Sequence, residues 1–235
     1  MKNLNSIIII PARKGSKGLP NKNIKKLNGK PLVSYSIEYA QKIKKSSDII
    51  CVSSDDERVE KIVKKYPMVE FLIRPKTLAK DNTSMESVIK HLIDQYEKKN
   101  LFFDSIVLLQ PTSPIRKIKD FKLISKKFNN KVDMVVSVKK ANENPYYSLF
   151  EENKDGYLVK SKSSKITRRQ DAPDVYCLNG SFFMININSL KKESIFNFSK
   201  ILKVEMPIER SIDIDTKYDL DYLNFLIDNK KILLK

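Results

Sequence analysis

The residues of this 235-residue chain that could do chemistry fall into two groups near its two ends. The first lies in Ile7–Asn23, IIIIPARKGSKGLPNKN, where an apolar run gives way to Arg13, Lys14, Gly15, Lys17, Gly18 and Lys22. Glycine lets the main chain approach an anion and aim its N–H groups at it. Arg adds a planar fork and Lys a point charge. Such a loop suits phosphate, although the same composition also makes an ordinary solvated turn. The second group is Ser211–Thr216, SIDIDT. In an extended segment Asp213 and Asp215 share one face, and Ile212 and Ile214 the other. Mg²⁺ takes one or two carboxylates together with substrate phosphate oxygens, so the two aspartates beside a phosphate loop would suit it. Asp215 could equally cap the helix that follows.

Composition narrows the chemistry. Lys+Arg 45 against Asp+Glu 28 gives a net charge of +17, which calls for an anionic partner. The lysines are scattered along every expected helix (Lys42, Lys44, Lys61, Lys64, Lys126 and Lys127 among them) and form no basic arm. A nucleotide or an acidic small molecule therefore fits better than nucleic acid, which would need aromatics interleaved with cations on one surface. The single histidine, His91, sits in a helical stretch, so triad catalysis finds no base. The two cysteines, Cys51 and Cys177, are too far apart in sequence for a zinc site. Neither GxxxxGK[ST] nor GxGxxG occurs. Nucleotidyl transfer with Mg²⁺ remains, with displacement of pyrophosphate at an α-phosphate. A buried thiol at Cys51, the lack of an apolar run of membrane-spanning length and the lack of a signal peptide point to a cytoplasmic protein with no membrane partner.

The elements that must position these groups alternate. Strands are expected at Ile7, 49–53, 69–73, 105–109 and 134–138. Helices are expected from Pro31, after Ser54-Asp55-Asp56, from a Thr83/Glu86 capping box to about Lys98, and over 120–128. This rhythm predicts a mostly parallel sheet whose carboxyl ends carry the ligand. Between 139 and 175 no helix is expected. Instead, 146–150 and 157–159 read as a hairpin around Asn153-Lys154-Asp155-Gly156. The sheet resumes at 182–187 after Asn179-Gly180, a strand follows at 201–206, and a helix over 217–231 closes a single domain with one insert.

Seven segments, in order, carry a family resemblance: PARKGSKGLPNKN (11–23), NGKPLVSYSI (28–37), VSSDD (52–56), RPKTLAKDNTS (74–84), LLQPTSPIR (108–116), RRQDAPDVYCLNGSFFMIN (168–186) and SIDIDTKYDL (211–220). The chain resembles the acylneuraminate cytidylyltransferases, the CMP-sugar synthetases of nonulosonic acids. The resemblance implies a Rossmann-like nucleotidyltransferase fold, three-layer α/β/α with a mostly parallel sheet. It also implies a small β insert for dimerisation and a homodimer. The implied reaction joins CTP and a nine-carbon 2-keto sugar acid into CMP-sugar and pyrophosphate, with Mg²⁺; an eight-carbon, Kdo-like acid is the alternative acceptor.

By position, Arg13, Lys17, Lys22 and Asn23 would hold the CTP phosphates and ribose, with Arg13, Lys22 and Asp215 catalytic. Arg74 and the 81–87 loop, with Ser84 and Ser87, would read the cytosine. Gln110 and Asn179 would meet the sugar, Arg169 would reach it from the partner's insert, and Asp213 and Asp215 would bind the metal. Tyr146-Tyr147 after Pro145, and Cys177-Leu178 before the Asn-Gly pair, depart from sialic-acid members on the sugar side. The acceptor therefore stays open between N-acetylneuraminate and a diamino-trideoxy relative such as legionaminate.

Overall fold

In the computed structural model, which describes residues 5–232, the chain runs as follows. β1 (Ser6–Pro11) leads to a short hairpin, β2 (Lys26–Leu27) and β3 (Lys30–Pro31), and then to α1 (Leu32–Ile43). β4 (Ile49–Ser54), α2 (Glu57–Val63), β5 (Val69–Ile73) and α3 (Met85–Glu97) come next. They are followed by β6 (Ser105–Leu108), α4 (Ile118–Lys127) and β7 (Met134–Lys140). The insert contributes β8 (Phe150–Glu152) and β9 (Leu158–Lys160). β10 (Tyr176–Asn186), α5 (Ile187–Lys192), β11 (Ile201–Glu205) and α6 (Lys217–Asp228) complete the fold.

Seven strands form one sheet in the order β11-β7-β10-β6-β1-β4-β5. All its pairings are parallel except those of β10, which runs antiparallel to both β6 and β7. Successive isoleucines of β1 serve opposite faces, as the two-residue period of a strand requires. Ile8 and Ile10 pack with Val33 and Ile37 of α1, Val59 of α2 and Ile124 of α4. Ile7 and Ile9 pack with Ile89 and Leu92 of α3 and Leu190 of α5. The expected three layers follow: helices on both faces of a mostly parallel sheet whose interior strand β1 is buried along its whole length.

A third, smaller cluster positions the site. Leu19 from the glycine-bearing loop and Ile214 from the aspartate segment pack with Leu27, Ile115, Leu220 and Leu223. Ile214 is fully buried, and its N–H donates to the Thr112 carbonyl at 2.9 Å. The alternation in SIDIDT thus sinks Ile214 and leaves Asp213 and Asp215 on the other side.

Three local expectations need correcting. The cap of α3 is Ser84, whose hydroxyl accepts from the Ser87 N–H at 3.1 Å, and not Thr83. Glu86 is drawn away from any capping box by the Ser194 hydroxyl at 2.6 Å, the Ile195 N–H at 3.0 Å and Lys90 at 2.7 Å. In the insert the first hairpin strand starts at Phe150, because Asn144 gathers the 144–149 segment into a turn by accepting from the Tyr147, Ser148 and Leu149 amides. Finally, β10 begins at Tyr176, ahead of the Asn-Gly pair, and absorbs that pair in a bulge between Leu178 and Phe183.

Candidate active site

The strand order reverses on either side of β1: the chain moves to β4 and β5 on one side, then returns to place β6 on the other. A crevice opens at the carboxyl ends of strands where an open sheet reverses in this way. A cleft of about 430 Å³ lies at that place. Arg13, Lys17, Lys22 and Asn23 line it from the loop after β1, Arg74 from the end of β5, Gln110 and Thr112 from the end of β6, and Asp213 and Asp215 from the segment before α6. Eight of the expected site residues therefore share one cavity.

The loop after β1 is anchored through its main chain, and its cations are paired with aspartates. The Lys14 N–H donates to Asp55 at 2.6 Å, and the Asn23 side-chain amide donates to the Arg13 carbonyl at 3.0 Å. The Arg13 guanidinium meets Asp81 at 2.6 Å, and Lys17 approaches the same carboxylate at 3.6 Å. The Arg13 hydrogen bond holds the Asp81 carboxyl below the usual range. Gly18 lies against the aspartate segment so closely that a Cβ there would collide with the Asp215 carbonyl oxygen. Lys22 reaches the Asp215 carboxylate at 2.7 Å. Arg74 is buried in the cleft wall and donates to the hydroxyl and carbonyl of Ser53 at 3.2 and 3.0 Å. Burial without a carboxylate partner lowers its pKa to about 10.

Asp215 is not the cap of α6. Thr216 and Asp219 take that role reciprocally: the Thr216 hydroxyl accepts from the Asp219 N–H at 3.3 Å, and the Asp219 carboxylate accepts from the Thr216 N–H at 2.7 Å. The Asp215 carboxylate is thereby left to the cleft. Asp213 accepts from the Ser113 hydroxyl at 3.3 Å. Among the described residues no cluster of three or more His, Cys, Asp or Glu side chains forms a metal cage. Two aspartates with open positions between them suit a hard cation that keeps phosphate oxygens and water as further ligands.

Asn179, expected in the sugar pocket, does not line the cleft. It is buried, accepts from the Ser137 hydroxyl at 2.6 Å and donates to the Ser211 hydroxyl at 2.9 Å. The bulge in β10 turns it inward and brings Gly180 (φ +70°) toward the site instead. A Cβ on Gly180 would come within 2.7 Å of Ser113 Oγ, 2.9 Å of Gln110 Oε1 and 3.5 Å of Asp213 Oδ2. Ser84 and Ser87 hydroxyls face each other at 2.8 Å and do not line the cleft, whereas Met85 between them does. Arg169 lies in the insert, donates to the Asn142 carbonyl at 3.2 Å, and borders a separate groove with Lys140 and Asn144.

One residue was missed by sequence reasoning altogether. Arg116 is buried beside the edge-to-face pair of Tyr39 and Phe182, 5.9 and 5.6 Å from their ring centroids. It donates to the Gln110 carbonyl at 2.7 Å, the Ser181 carbonyl at 3.0 Å and the Ser36 hydroxyl at 3.1 Å. Burial lowers its pKa to about 10, with Tyr39 and Asp213 pulling the other way. It ties the loop after β6 to the bulge of β10, which carry Gln110 and Gly180. The one available signal was an arginine directly after a stiff Pro-Thr-Ser-Pro-Ile loop.

The cytidylyltransferase family profile matches residues 7–234. The chain is 33% identical over 229 residues to the post-translational flagellin modification protein B of Campylobacter coli, covering 96% of both. It is 33% identical over 226 residues to a CMP-N,N'-diacetyllegionaminic acid synthase of Campylobacter jejuni, covering 95% of both. With an N-acylneuraminate cytidylyltransferase of Streptococcus agalactiae serotype V it shares 35% identity over 218 residues, and it spans about half (51%) of that longer relative. In fold it is similar to a CMP:2-keto-3-deoxy-manno-octonic acid synthetase complexed with CTP, with a TM-score of 0.68 and 17% identity over 96% of this chain and 99% of the other. With a profile that spans nearly its whole length and a cation-lined cleft at the switch point of its sheet, the chain belongs to the cytidylyltransferase family, nucleotidyltransferases that use CTP.

Proposed function

We propose that the chain activates a nonulosonic acid, a nine-carbon 2-keto sugar acid, by transferring CMP to it from CTP. The observation that carries this reading is the convergence of Arg13, Lys17, Lys22 and Arg74 with Asp213 and Asp215 in one cleft. The names of the sequence relatives support a nine-carbon acceptor. The eight-carbon synthetase is similar at the level of fold.

In the reaction, the anomeric hydroxyl oxygen of the acid bonds to the α-phosphorus in line. The bond from that phosphorus to the bridging oxygen breaks, pyrophosphate leaves with the electron pair, and the hydroxyl proton passes to solvent. Charge grows on the departing pyrophosphate, so the protein's task is electrostatic. Arg13, Lys17 and Lys22 offset that charge, and Asn23 fixes the loop that carries them. Arg74 and the 81–87 segment, with Ser84 and Ser87, read the cytosine, partly through main-chain groups, while the Asp81 carboxylate itself faces Arg13 and Lys17. Gln110 holds the sugar, with Asn179 supporting the pocket from beneath. Asp213 and Asp215 would hold Mg²⁺, which would supply positive charge to offset that of the phosphates and make the attacking hydroxyl more acidic. That chemistry needs no histidine base.

The working unit is a homodimer in the cytoplasm. Exposed Tyr157 and Leu158 on the insert hairpin, 71% and 69% accessible, support a subunit contact there. Arg169, which lies outside its own protomer's cleft, reaches the partner's sugar carboxylate. The free thiols of Cys51 and Cys177 fit a reducing compartment. Among the described residues no helix is long and apolar enough to cross a membrane.

The test is pyrophosphate release with CTP, Mg²⁺ and, in turn, N-acetylneuraminate, N,N'-diacetyllegionaminate and an eight-carbon 2-keto acid. Release with a nine-carbon acid is expected; release with the eight-carbon acid alone would overturn the reading.

A further inference from the structure

Arg13 and Lys17 border two cavities. Besides the cleft, they line a second, open hollow of about 380 Å³ together with Gly15, Ser16, Ala79, Lys80 and Asp81. Asp81 is the anion of that wall and does not line the cleft. Its carboxylate takes both cations, Arg13 at 2.6 Å and Lys17 at 3.6 Å. It stands on a segment outside the sheet and the helices, between a turn at Lys76–Leu78 and α3. Within that segment the ties are weak: the Thr83 N–H donates to the Lys80 carbonyl at 3.2 Å, and its hydroxyl reaches the Thr77 carbonyl at 3.5 Å. The ion pair couples this segment to the phosphate loop.

We infer that Asp81 is an internal anion that competes with the β- and γ-phosphates of the nucleotide, and with released pyrophosphate, for Arg13 and Lys17. The inference rests on the reading of the cleft as a CTP site. A triphosphate carries several negative charges against the single charge of Asp81, so it draws the two cations into the cleft when it binds. Once the bond to the α-phosphorus is broken, pyrophosphate must give those cations up. Asp81 stands behind them to take them back, which favours release. Removing the carboxylate therefore tightens both anions together. A carboxylate that served only to orient Arg13 would do the opposite, because its loss would let the guanidinium wander. Both partners are partly exposed, so solvent and salt moderate the competition to about three- to ten-fold in affinity.

The experiment compares the wild-type chain with Asp81→Asn and Asp81→Glu. Calorimetric titration with CTP and with inorganic pyrophosphate gives Kd, and steady-state turnover gives the Ki for pyrophosphate. Asp81→Asn is expected to lower the Kd for CTP and the Ki for pyrophosphate about three- to ten-fold, while Asp81→Glu stays near wild type. An Asp81→Asn protein that binds either anion with unchanged or weaker affinity overturns the inference. A wild-type chain that binds pyrophosphate but not CTP overturns only the cytidine reading, and the pyrophosphate titrations of the variants still decide the role of Asp81.

Discussion

Lys22 and Asp215, 193 residues apart in the chain, meet as an ion pair with Nζ and Oδ1 2.7 Å apart. The pair is asymmetric: the lysine side chain is 15% accessible and the aspartate 69%. The lysine is fixed in the wall, and the carboxylate faces the open cleft. The pair joins the cationic loop after β1 to the aspartate segment before α6. Asp215→Ala is expected to abolish turnover, a loss of at least about 100-fold in kcat, while CTP still binds. Lys22→Met should raise KM for CTP as well as lower kcat. Pyrophosphate release and calorimetric CTP titration check both; an active Asp215→Ala enzyme would sink the metal assignment.

Gly18 lies where no side chain fits, against the backbone carbonyl of Asp215. Gly18→Ala must push the phosphate loop away from the aspartate segment. Overpacking of this kind costs about 1–3 kcal/mol, so a thermal midpoint several degrees lower is expected, with a larger proportional loss in kcat/KM than in stability. Wild-type turnover in Gly18→Ala would show that the two segments need not stay in register.

Arg116 acts at a distance from any substrate, through the Gln110 and Ser181 carbonyls. Arg116→Met removes the donor to the buried Ser181 carbonyl and one of several donors to the Gln110 carbonyl, at about 1–3 kcal/mol. Arg116→Lys keeps the charge but cannot span three acceptors as a fork does. The lysine variant should fold, raise KM for the sugar acid several-fold and leave KM for CTP nearly unchanged. Equal effects on both substrates would mean that Arg116 serves the fold alone.

If Arg169 is supplied across a dimer, two dead variants should rescue each other. Arg169→Ala mixed with Asp215→Ala in equal amounts and allowed to exchange subunits gives heterodimers with one intact site each, and about a quarter of wild-type activity is expected. Leu158→Asp on the insert hairpin should shift the chain toward monomer in sedimentation and lose the rescue. No rescue from a mixture shown to contain heterodimers would place Arg169 outside the site.

Acid sensitivity follows from two carboxylates. The Arg58 guanidinium holds Asp56, the cap of α2, below the usual carboxylate range, and the Ser189 hydroxyl does the same for Asp133. With folded-state pKa values depressed, the unfolded chain binds more protons in acid. The stabilisation is intact above the unfolded value near 3.9 and is lost as pH falls below it. The thermal midpoint should stay level from about pH 7 to 5 and drop below about 4, less steeply in Asp56→Asn. A midpoint that climbed on acidification would contradict this.

Much of the architecture was legible because it rests on local pattern. The isoleucine run of β1, the strand-helix alternation and the aspartate period in SIDIDT each carry a spacing that geometry dictates. What escaped depends on contacts between distant segments. Nothing local says that β10 runs antiparallel, since strand direction is set by where the insert returns to the sheet. Asn179 looked like a pocket residue until the bulge turned it onto Ser137 and Ser211. Arg116 could not be told from a surface arginine without the Tyr39–Phe182 pair that it packs against. Thr83 satisfied the capping-box pattern with Glu86, but the cap is Ser84, one residue on, and Glu86 meets Ser194, over a hundred residues away.

The insert leaves β7 and re-enters at β10, two neighbouring strands, and its ends are joined where the Ala141 N–H donates to the Val175 carbonyl at 2.9 Å. A segment attached in this way is a module. Its length and sequence can change without altering a single rung of the seven-stranded sheet, because a tight turn would bridge the same two ends. The sheet and the insert can therefore diverge at different rates, one constrained by its strand pairings and the other by whatever surface it meets.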